Sequence, residues 1–507
     1  MRCCLINPLW GSRNSIVFAP PLGLGYIAGI LEQNGYQVKI IDRISDYYKF
    51  SWMDLEKLDE MTKKEILDFS PHFIGISATT IQAYDMLHVA KLIRSLPGGD
   101  NYIVIAGGFH PTIEPQLTLK ECPEIDIACR GEGEFTMLEL ASGRELRKVN
   151  GITFRENRRL YSTPDRLPLL EIDTLPFPAR HLMDMKFYLR PCKANNPGLP
   201  VRTTTLISSR GCPYDCKFCA SKSMHKKVKL HSWEYVINEF EELIENYYPK
   251  LITFMDDMFL VSRQRVEKIC SCLIEKRLNK KIKWTCSARV DAVDGKILKL
   301  MREAGCVYII YGLESGSQRM LDKMNKKTTV EQNRRAVHLA NRAKILVNSG
   351  FIVNLPEETE EDFLSTIEFI KNNKIYMTNL NNLMPLPGSC YYKELGKAGK
   401  LDVINNRKLW KQIGVLPEYV GAVQELPIYS NIPKERFLEL WHQGWEILEY
   451  KNNLNYILIN WYYAPLICLK RLIFLMALIL LGGKHSSTYK AIRKIYHAIT
   501  RVFKSTR

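Results

Sequence analysis

Residues 203–219 read TTTLISSRGCPYDCKFC. The first seven are mostly β-branched or apolar and predict a strand. The ten that follow contain three cysteines in the spacing CxxxCxxC. This order predicts a cysteine-rich loop at the carboxyl end of a strand, which is the edge where open sheets and barrels hold their reacting groups.

The three cysteines, Cys212, Cys216 and Cys219, are close enough in sequence to bind one metal centre. Three thiolates without a fourth suit an iron–sulfur cluster whose fourth iron is left for another ligand. A structural zinc site is one alternative, but it needs four ligands, usually in paired spacing. The nearest additional candidates, Cys192 and His225, do not form such a pair. Unpaired buried thiols are the other alternative.

The cysteine motif, with Phe218 before its last cysteine, resembles the signature of radical S-adenosylmethionine (SAM) enzymes. The longer phrase SSRGCPYDCKFC, residues 208–219, is similar to the branch that carries an N-terminal cobalamin-binding domain. The resemblance implies that the three cysteines hold a [4Fe–4S] cluster, that SAM chelates the fourth iron, and that Phe218 contacts SAM.

The whole chain has 507 residues, which predicts two or three domains. Its formal net charge is +17, and residues 484–507 contain seven Lys or Arg and no Asp or Glu. Such a tail suits an anionic membrane surface or nucleic acid, with a solvated tail as the alternative. Fourteen scattered cysteines, and a first segment without signal-peptide architecture, predict free thiols in a reducing cytoplasm.

The first 150 residues alternate short apolar runs with amphipathic stretches. The runs predict strands at residues 3–6, 37–41, 73–77, 102–106 and 126–129. This alternation predicts a doubly wound, Rossmann-like parallel sheet, in which ligands bind outside the carboxyl ends of the strands.

The predicted strand ends are rich in glycine and small polar residues, and in this order they resemble the cobalamin-binding domain of the same branch. The cobalamin contacts that the resemblance implies are Asn7, Pro8, Leu22, Gly23, Ser77, Thr79, Gly107, Gly108, His110, Gly131, Glu132, Gly133 and Glu134. The chain has no Asp-x-His-x-x-Gly motif, so the resemblance implies cobalamin without a protein histidine on cobalt. The alternative is a Rossmann-like domain that has lost its cofactor.

Residues 151–200 are rich in Pro and Arg and predict a linker. From residue 201 to 385 the alternation resumes, with strands predicted at residues 203–209, 251–255, 282–287, 307–311, 346–353 and 376–383. Six strand–helix units predict a partial (βα)₆ barrel, which is the radical SAM fold that the resemblance implies.

Polar residues at the ends of the barrel strands supply the implied SAM site. The residues are Asp256, Asp257, Arg289, Glu314, Gly350, Asn354 and Glu357. Gly350, Asn354 and Glu357 resemble an adenine-side GxIxGxxE motif in which Asn354 replaces the second glycine. The alternatives are that the acidic pair caps a helix and that Arg289 pairs with Asp291.

The last part of the chain is predicted to be helical. Residues 386–460 are aromatic and predict a helical cap over the barrel, with its Trp and Tyr side chains mainly in the core. Residues 461–507 predict an apolar helix followed by the basic tail. Lys470 and Arg471 interrupt the apolar run 464–483, which favours an interfacial or buried helix over a spanning one. Peripheral contact of residues 464–507 with the inner face of a membrane is therefore expected.

The resemblance implies a cobalamin-dependent radical SAM enzyme. Reductive cleavage of SAM would give a 5′-deoxyadenosyl radical that abstracts hydrogen from an unactivated carbon, and methylcobalamin would then donate a methyl group. The expected partners are a small-molecule substrate, lipid-like or a tetrapyrrole, and a flavodoxin- or ferredoxin-type electron donor. An oxidative cyclase with the same cofactors is the first alternative. A non-catalytic metal- or nucleic-acid-binding protein is the second, but the basic residues lack the interleaved aromatics of a stacking surface, so no nucleic acid is expected.

Overall fold

The computed structural model describes residues 1–9, 19–49, 54–157, 159–190, 201–401 and 427–460, together with residues 468–469, 471–472 and 475–476. The linker residue Cys192, most of the apolar run 464–483 and the basic tail 484–507 lie outside the described residues, as do residues 402–426 of the predicted cap.

The first sheet has seven strands in the order β2-β1-β3-β4-β5-β6-β7. They are β1 (Arg2–Asn7), β2 (Gln37–Asp42), β3 (Phe73–Ser77), β4 (Ile103–Gly107), β5 (Ile127–Cys129), β6 (Ile152–Glu156) and β7 (Arg159–Ser162). Strands β1 to β5 are parallel. The direction of winding reverses between β1 and β3, and the carboxyl ends of these two strands therefore border the crevice where doubly wound sheets bind ligands.

Helices cover both faces of the first sheet, as predicted. They are α1 (Leu22–Gln33), α2 (Arg43–Lys49), α3 (Leu55–Phe69), α4 (Ala83–Arg94), α5 (Phe109–Ile113), α6 (Pro115–Glu121) and α7 (Glu134–Ala141). Leu31 of α1 and Met137 of α7 lie in the core of one face. Ile66 of α3 and Val89 of α4 lie in the core of the other. The doubly wound prediction is confirmed.

The predicted linker contains two strands of the first sheet. Strands β6 and β7 form an antiparallel hairpin that extends the sheet from β5. Ile152 and Phe154 of β6 alternate with polar residues and join the core beside α7. The charged residues around this alternation hid it in the sequence. Two 3₁₀ turns, Ile172–Thr174 and Arg180–Leu182, and a short helix, α8 (Met185–Tyr188), follow before the described part of the linker ends.

The second sheet has six parallel strands, and its order follows the chain. They are β8 (Thr203–Leu206), β11 (Leu251–Phe254), β12 (Lys283–Ala288), β13 (Cys306–Glu314), β14 (Leu346–Val353) and β15 (Met377–Asn382). Between β8 and β11 lie β9 (Ser209–Arg210), α9 (Ser221–Met224) and β10 (Lys229–Leu230), and β9 pairs with β10. The predicted partial (βα)₆ barrel is confirmed.

The helices of the barrel pack on the outer face of the second sheet around a core that includes Phe240, Phe254 and Trp284. They are α10 (Trp233–Tyr247), α11 (Arg263–Glu275), α12 (Leu278–Lys281), α13 (Gly295–Glu303), α14 (Gln318–Lys323), α15 (Val330–Arg342) and α16 (Glu360–Asn372). Side chains at Ser232 and Thr359 accept backbone N–H groups at the first turns of α10 and α16, which fixes where these helices begin.

The C-terminal region contributes α17 (Cys390–Lys397) and a long helix, α18 (Lys434–Asn460). Helix α18 lies along the edge strand β15, where Asn452 bonds to the backbone N–H and C=O of Thr378 at 3.0 and 2.8 Å. Trp441 of α18 is fully buried in the barrel core, as predicted for the aromatic stripe. Within the described part of the chain, no helix is long and apolar enough to cross a membrane.

A buried ion pair joins the linker to the barrel. Arg180 follows the first domain, and its guanidinium lies 2.6 Å from Glu239 of α10 and 3.1 Å from the carbonyl of Thr205 in β8. Both charged side chains are fully excluded from solvent. The pair therefore holds the two domains in register.

Replacing Glu239 by alanine should leave the Arg180 charge buried without its carboxylate. We expect a loss of about 3–5 kcal/mol in the free energy of unfolding, measured from the urea midpoint. As a control, Glu360→Ala removes the exposed ion pair with Arg436 and should leave the midpoint unchanged. An equal effect of both substitutions would contradict this role.

Candidate active site

The cysteine loop lies between β9 and α9, at the carboxyl end of the first barrel strand. Cys212 and Cys216 are partly exposed, Cys219 is exposed, and all three are free thiols. The backbone N–H of Ser221 lies 3.4 Å from the sulfur of Cys219. Burial raises the pKa values of Cys216 and Cys219. The sequence therefore predicted the place of these ligand candidates in the fold.

Neighbouring elements clamp the backbone of the cysteine loop. The N–H of Lys217 donates to the carbonyl of Met324 at 2.9 Å, and the side-chain amide of Asn325 donates to the carbonyl of Asp215 at 2.9 Å. The N–H of Tyr391, in α17, donates to the carbonyl of Lys217 at 3.0 Å. The loop is thus held on one side by the connection after α14 and on the other by α17.

Two buried cations lie beside the loop. The Lys326 ammonium lies 5.6 Å from the centre of the Phe218 ring, and the Arg289 guanidinium lies 3.5 Å from the centre of the Tyr214 ring. Burial raises the pKa of Cys216, and the charges of Lys326 and Arg289 act in the opposite direction. Two positive charges with little water around them fit an anionic group bound at the thiolates.

Glu314 and Lys326 form a pair at the end of β13. The Glu314 carboxylate lies 2.8 Å from the Lys326 ammonium, and Glu314 adopts a left-handed φ of +61°. Glu314 was predicted as a SAM contact and lies at this side of the cysteine loop. Lys326 was not predicted, because its local sequence NKKTT has the composition of a solvated loop.

Arg289 was predicted as a SAM contact, but most of its guanidinium is bonded to other residues of the protein. Its Nε and Nη2 atoms donate to both carboxylate oxygens of Asp291, at 3.0 and 2.9 Å, and Nη2 also donates to the carbonyl of Lys326. The alternative pairing is therefore the one observed. Its buried Nη1 atom has no hydrogen-bond partner among the described residues. That nitrogen is the only part of the guanidinium left for a ligand.

The two acidic residues after β11 have different environments. Asp256 is buried, and its carboxylate accepts hydrogen bonds from the N–H and hydroxyl of Ser208 and from the N–H of Ser209. Asp256 was predicted as a SAM contact; in the structure its oxygens bind the backbone and hydroxyl groups of the segment that leads into the cysteine loop. Asp257 is exposed and accepts a hydrogen bond of 2.6 Å from the hydroxyl of Ser221. Of this pair, Asp257 is the residue beside Cys219.

The predicted adenine-side residues are spread over three environments. Gly350 lies mid-strand in β14, where a Cβ would come 3.1 Å from the Asn381 amide. Asn354 is buried, and its side chain binds the backbone of Pro427, Tyr429 and Ser430. Glu357 is exposed in a 2.6 Å ion pair with Lys323. The Asn354 side chain thus anchors the C-terminal segment, the Glu357 side chain lies at the surface, and the structure does not bring these two side chains together with Gly350.

One cavity of about 410 Å³ joins the carboxyl ends of the two sheets. On the barrel side its wall contains Ile207, Arg210, Met255 and Asp257. On the first-domain side its wall contains ten of the thirteen predicted cobalamin residues: Asn7, Gly23, Ser77, Thr79, Gly107, Gly108, Gly131, Glu132, Gly133 and Glu134. Of the residues predicted for the cluster and SAM, Asp257 borders this space together with the ten predicted cobalamin residues.

Three predicted cobalamin residues lie off this wall. Leu22 packs in a small apolar cluster with Tyr26, and the carbonyl of Pro8 accepts a hydrogen bond of 2.9 Å from Gln82. His110 is buried in the short helix α5. The structure therefore places these three residues apart from the other ten. Gln82, which the sequence analysis missed, lies on the wall and also bonds to Asn7 at 3.2 Å.

Glycines give the wall its shape. Gly108 has a φ of +90°, and a Cβ there would lie 2.7 Å from the carbonyl oxygen of Ala78. A Cβ at Gly23 or Gly131 would meet no atom within 4 Å, so both backbones face open space. The first-domain wall therefore has room for a flat, bulky ligand close to the backbone.

Charged residues join the two sides of the cavity. Arg210, directly before the cysteine loop, lies 2.8 Å from Glu134 and 3.3 Å from Glu132. Lys229 and His225 also contact Glu132, His225 at 3.5 Å. Burial alone would raise the pKa of Glu132, but the hydrogen bond from His225 and the charges of Arg210 and Lys229 lower it to about 2.

Among the described residues, no three His, Cys, Asp or Glu side chains converge to hold one metal ion.

Comparison with known proteins matches both halves of this arrangement. The sequence profile of the radical SAM superfamily matches residues 206–370, and that of the B12 binding domain matches residues 15–141. An uncharacterized methyltransferase of Pyrococcus horikoshii is 36% identical over 375 residues, which cover 73% of this chain and 77% of that protein. An anaerobic magnesium-protoporphyrin IX monomethyl ester cyclase of Cereibacter sphaeroides is 28% identical over 407 residues, which cover 78% of this chain and 64% of the cyclase.

A solved structure shares the fold over nearly the whole chain. The cobalamin-dependent SAM radical enzyme OxsB, solved with aqua-cobalamin and SAM bound, superposes with a TM-score of 0.67 at 18% identity. The match covers 96% of this chain and 76% of OxsB. This structural match, the two sequence profiles and the 36% identical relative all agree with the arrangement described above, in which a barrel with the cysteine loop shares a cavity with the first domain. The chain belongs to the radical SAM superfamily, among the members that carry a B12 binding domain.

Proposed function

We propose that this enzyme transfers a methyl group to an unactivated carbon of a small molecule, using a [4Fe–4S] cluster, SAM and cobalamin. The observation that carries the proposal is a cavity between the two domains: its barrel side contains Arg210 and Met224, which precede and follow the cysteine loop in the chain, and its other side contains the glycine-rich strand ends of the first domain. Two cofactors that react with one substrate need such a common space. A flavodoxin- or ferredoxin-type protein is the proposed electron donor.

The cofactors supply the difficult chemistry: when bound, the cluster and SAM provide a 5′-deoxyadenosyl radical, and cobalamin provides a methyl group. The protein residues hold and orient these groups. Cys212, Cys216 and Cys219 would ligate the cluster and leave one iron for SAM. Lys326 and the Nη1 atom of Arg289, which has no hydrogen-bond partner among the described residues, would stabilise negative charge at the thiolates and at the SAM carboxylate.

The remaining residues orient SAM and seal the cavity. Glu314 is fixed by its 2.8 Å contact with Lys326, so its carboxylate can accept hydrogen bonds from SAM. Asp257 accepts a hydrogen bond from Ser221 beside Cys219, and its carboxylate would bind the SAM ammonium. Met255 and Ile207 give the barrel side of the cavity an apolar surface that limits the access of water to a radical.

Methyl transfer is favoured over cyclisation by the relatives. The relative at 36% identity is named an uncharacterized methyltransferase, whereas the cyclase is 28% identical over a similar length. An oxidative cyclase with the same cofactors is the second candidate, because that relative also covers most of this chain. The two candidates differ in whether a methyl group leaves SAM.

The Cys216→Ala substitution tests the cluster assignment. Loss of one of three thiolate ligands should abolish the formation of 5′-deoxyadenosine from SAM in anaerobically reconstituted protein, measured by liquid chromatography with mass detection. Iron and sulfide content should fall in parallel. The matched control is Cys390→Ala, an exposed free cysteine at the start of α17, which should retain wild-type cleavage. SAM cleavage by Cys216→Ala would contradict the central assignment.

The Gly108→Ala substitution tests the cobalamin site and the outcome of the reaction. A Cβ 2.7 Å from the Ala78 carbonyl should displace the wall and lower bound cobalamin at least about tenfold, measured by optical absorbance after gel filtration. With methyl-labelled SAM, the wild-type enzyme should transfer the label to the corrinoid and the variant should not. Gly143→Ala is the control, since Gly143 has a similar φ of +77° but open space around it. A wild-type corrinoid that stays unlabelled would favour the cyclase.

The Lys326→Met substitution tests the buried cation beside the cluster. Because a nearby positive charge stabilises the reduced, more negative cluster, its removal should lower the reduction potential by on the order of 50 mV, measured by redox titration with electron paramagnetic resonance. The double variant Lys326→Met/Glu314→Gln removes one charge of each sign and should return the potential toward the wild-type value. A single variant with an unchanged potential would place Lys326 outside the site.

A further inference from the structure

The end of the chain has an unusual charge balance. Glu449 is the last acidic residue, and residues 450–507 contain ten Lys or Arg. The formal charge of the whole chain is +17, so this segment carries more than half of the excess. It begins inside the described helix α18, before the apolar run and the basic tail.

An apolar stripe on the last turns of α18 faces solvent. Tyr450, Leu454 and Leu458 recur every four residues and therefore share one helix face. They are 44%, 37% and 70% exposed. A single exposed leucine is ordinary on a protein surface, but three exposed apolar side chains in line on one helix are not.

The next described helical residues add a second apolar set. Leu469, Leu472 and Met476 have helical spacing and are 46%, 36% and 52% exposed. We call the surface formed by Tyr450, Leu454, Leu458, Leu469, Leu472 and Met476 the C-terminal apolar face.

The opposite sides of these two helical pieces pack against each other. Cys468 and Leu475 are buried in a cluster with Tyr456 and Ile457 of α18. Arg471 lies 2.7 Å from Asn453 and 3.9 Å from the centre of the Tyr456 ring. The inward sides are therefore fixed by contacts within the protein, and the C-terminal apolar face is what remains outside.

We propose that the C-terminal apolar face docks on the surface of an anionic lipid bilayer. The exposed side chains would enter the boundary between headgroups and acyl chains, as the apolar side of an interfacial helix does. In sequence, residues 450–507 contain ten Lys or Arg and no Asp or Glu, which complements anionic headgroups and would be repelled by a cationic surface. This inference is independent of the proposed reaction.

The face lies at a defined end of the barrel. Gly444 of α18 lies near Leu380, Asn452 bonds to Thr378, and Asn455 bonds to the carbonyls of Ile375 and Tyr376. Helix α18 therefore runs antiparallel to β15, and its last turns reach the amino end of that strand. The cysteine loop lies at the carboxyl ends, on the opposite side of the barrel.

The test is flotation of the full-length protein with vesicles. We expect binding to vesicles of phosphatidylcholine mixed with phosphatidylglycerol, little binding to phosphatidylcholine alone, and release as salt rises from about 0.1 M to about 1 M. The double variant Leu454→Ser/Leu458→Ser should weaken binding roughly tenfold or more, because two apolar side chains no longer leave water. SAM cleavage in solution should be unchanged in this variant.

Matched controls and contrary outcomes are available. Leu67→Ser/Leu364→Ser replaces two exposed leucines elsewhere on the surface and should bind like the wild type. Equal vesicle binding by the two double variants would overturn the role of the face. A protein that floats with neither vesicle, but forms dimers that Leu454→Ser/Leu458→Ser abolishes, would assign the face to a second copy of the chain. Binding to a nucleic-acid duplex instead of vesicles would likewise overturn the proposal.

Discussion

The contact between Arg210 and the two carboxylates Glu132 and Glu134 is the interaction on which the arrangement of the site depends. It joins the residue directly before the cysteine loop to the glycine-rich turn after the last parallel strand of the first sheet. Taking three charges out of water has a large desolvation penalty, so such a network is a poor source of net stability. Its effect is geometric, because it allows few relative positions of loop and turn.

The rest of the site follows from two sheets whose parallel strands have their carboxyl ends at the same cavity. In each sheet the carboxyl ends of the strands carry the residues free to bind ligands, while the faces are covered by helices. The buried pair Arg180–Glu239 holds the linker against the barrel from outside the cavity. The Asp256 carboxylate accepts hydrogen bonds from Ser208 and so fixes the segment that leads into the cysteine loop. The residues that border the cavity are therefore held in position by polar contacts of residues that lie behind the cavity wall.

The sequence was sufficient for the two folds and for the cysteine loop, because period, spacing and strand-end composition are local signals. It was insufficient where a side chain's role depends on distant partners. Asp256 and Asp257 are neighbours in sequence, yet the carboxylate of Asp256 accepts a hydrogen bond from Ser208 and that of Asp257 accepts one from Ser221. Lys326 is buried only because a charged loop folds over the cysteines, and Asn354 anchors a segment more than seventy residues away. No local pattern encodes such contacts.

The antiparallel course of α18 along β15 has a consequence for the route of the substrate. If the C-terminal apolar face rests on a lipid surface, α18 lies in the plane of that surface, and the barrel strands run roughly along it because β15 is antiparallel to α18. The carboxyl ends of the strands, with the cysteine loop, would then open sideways beside the membrane. The mouth of the barrel would therefore lie in the aqueous layer next to the membrane surface.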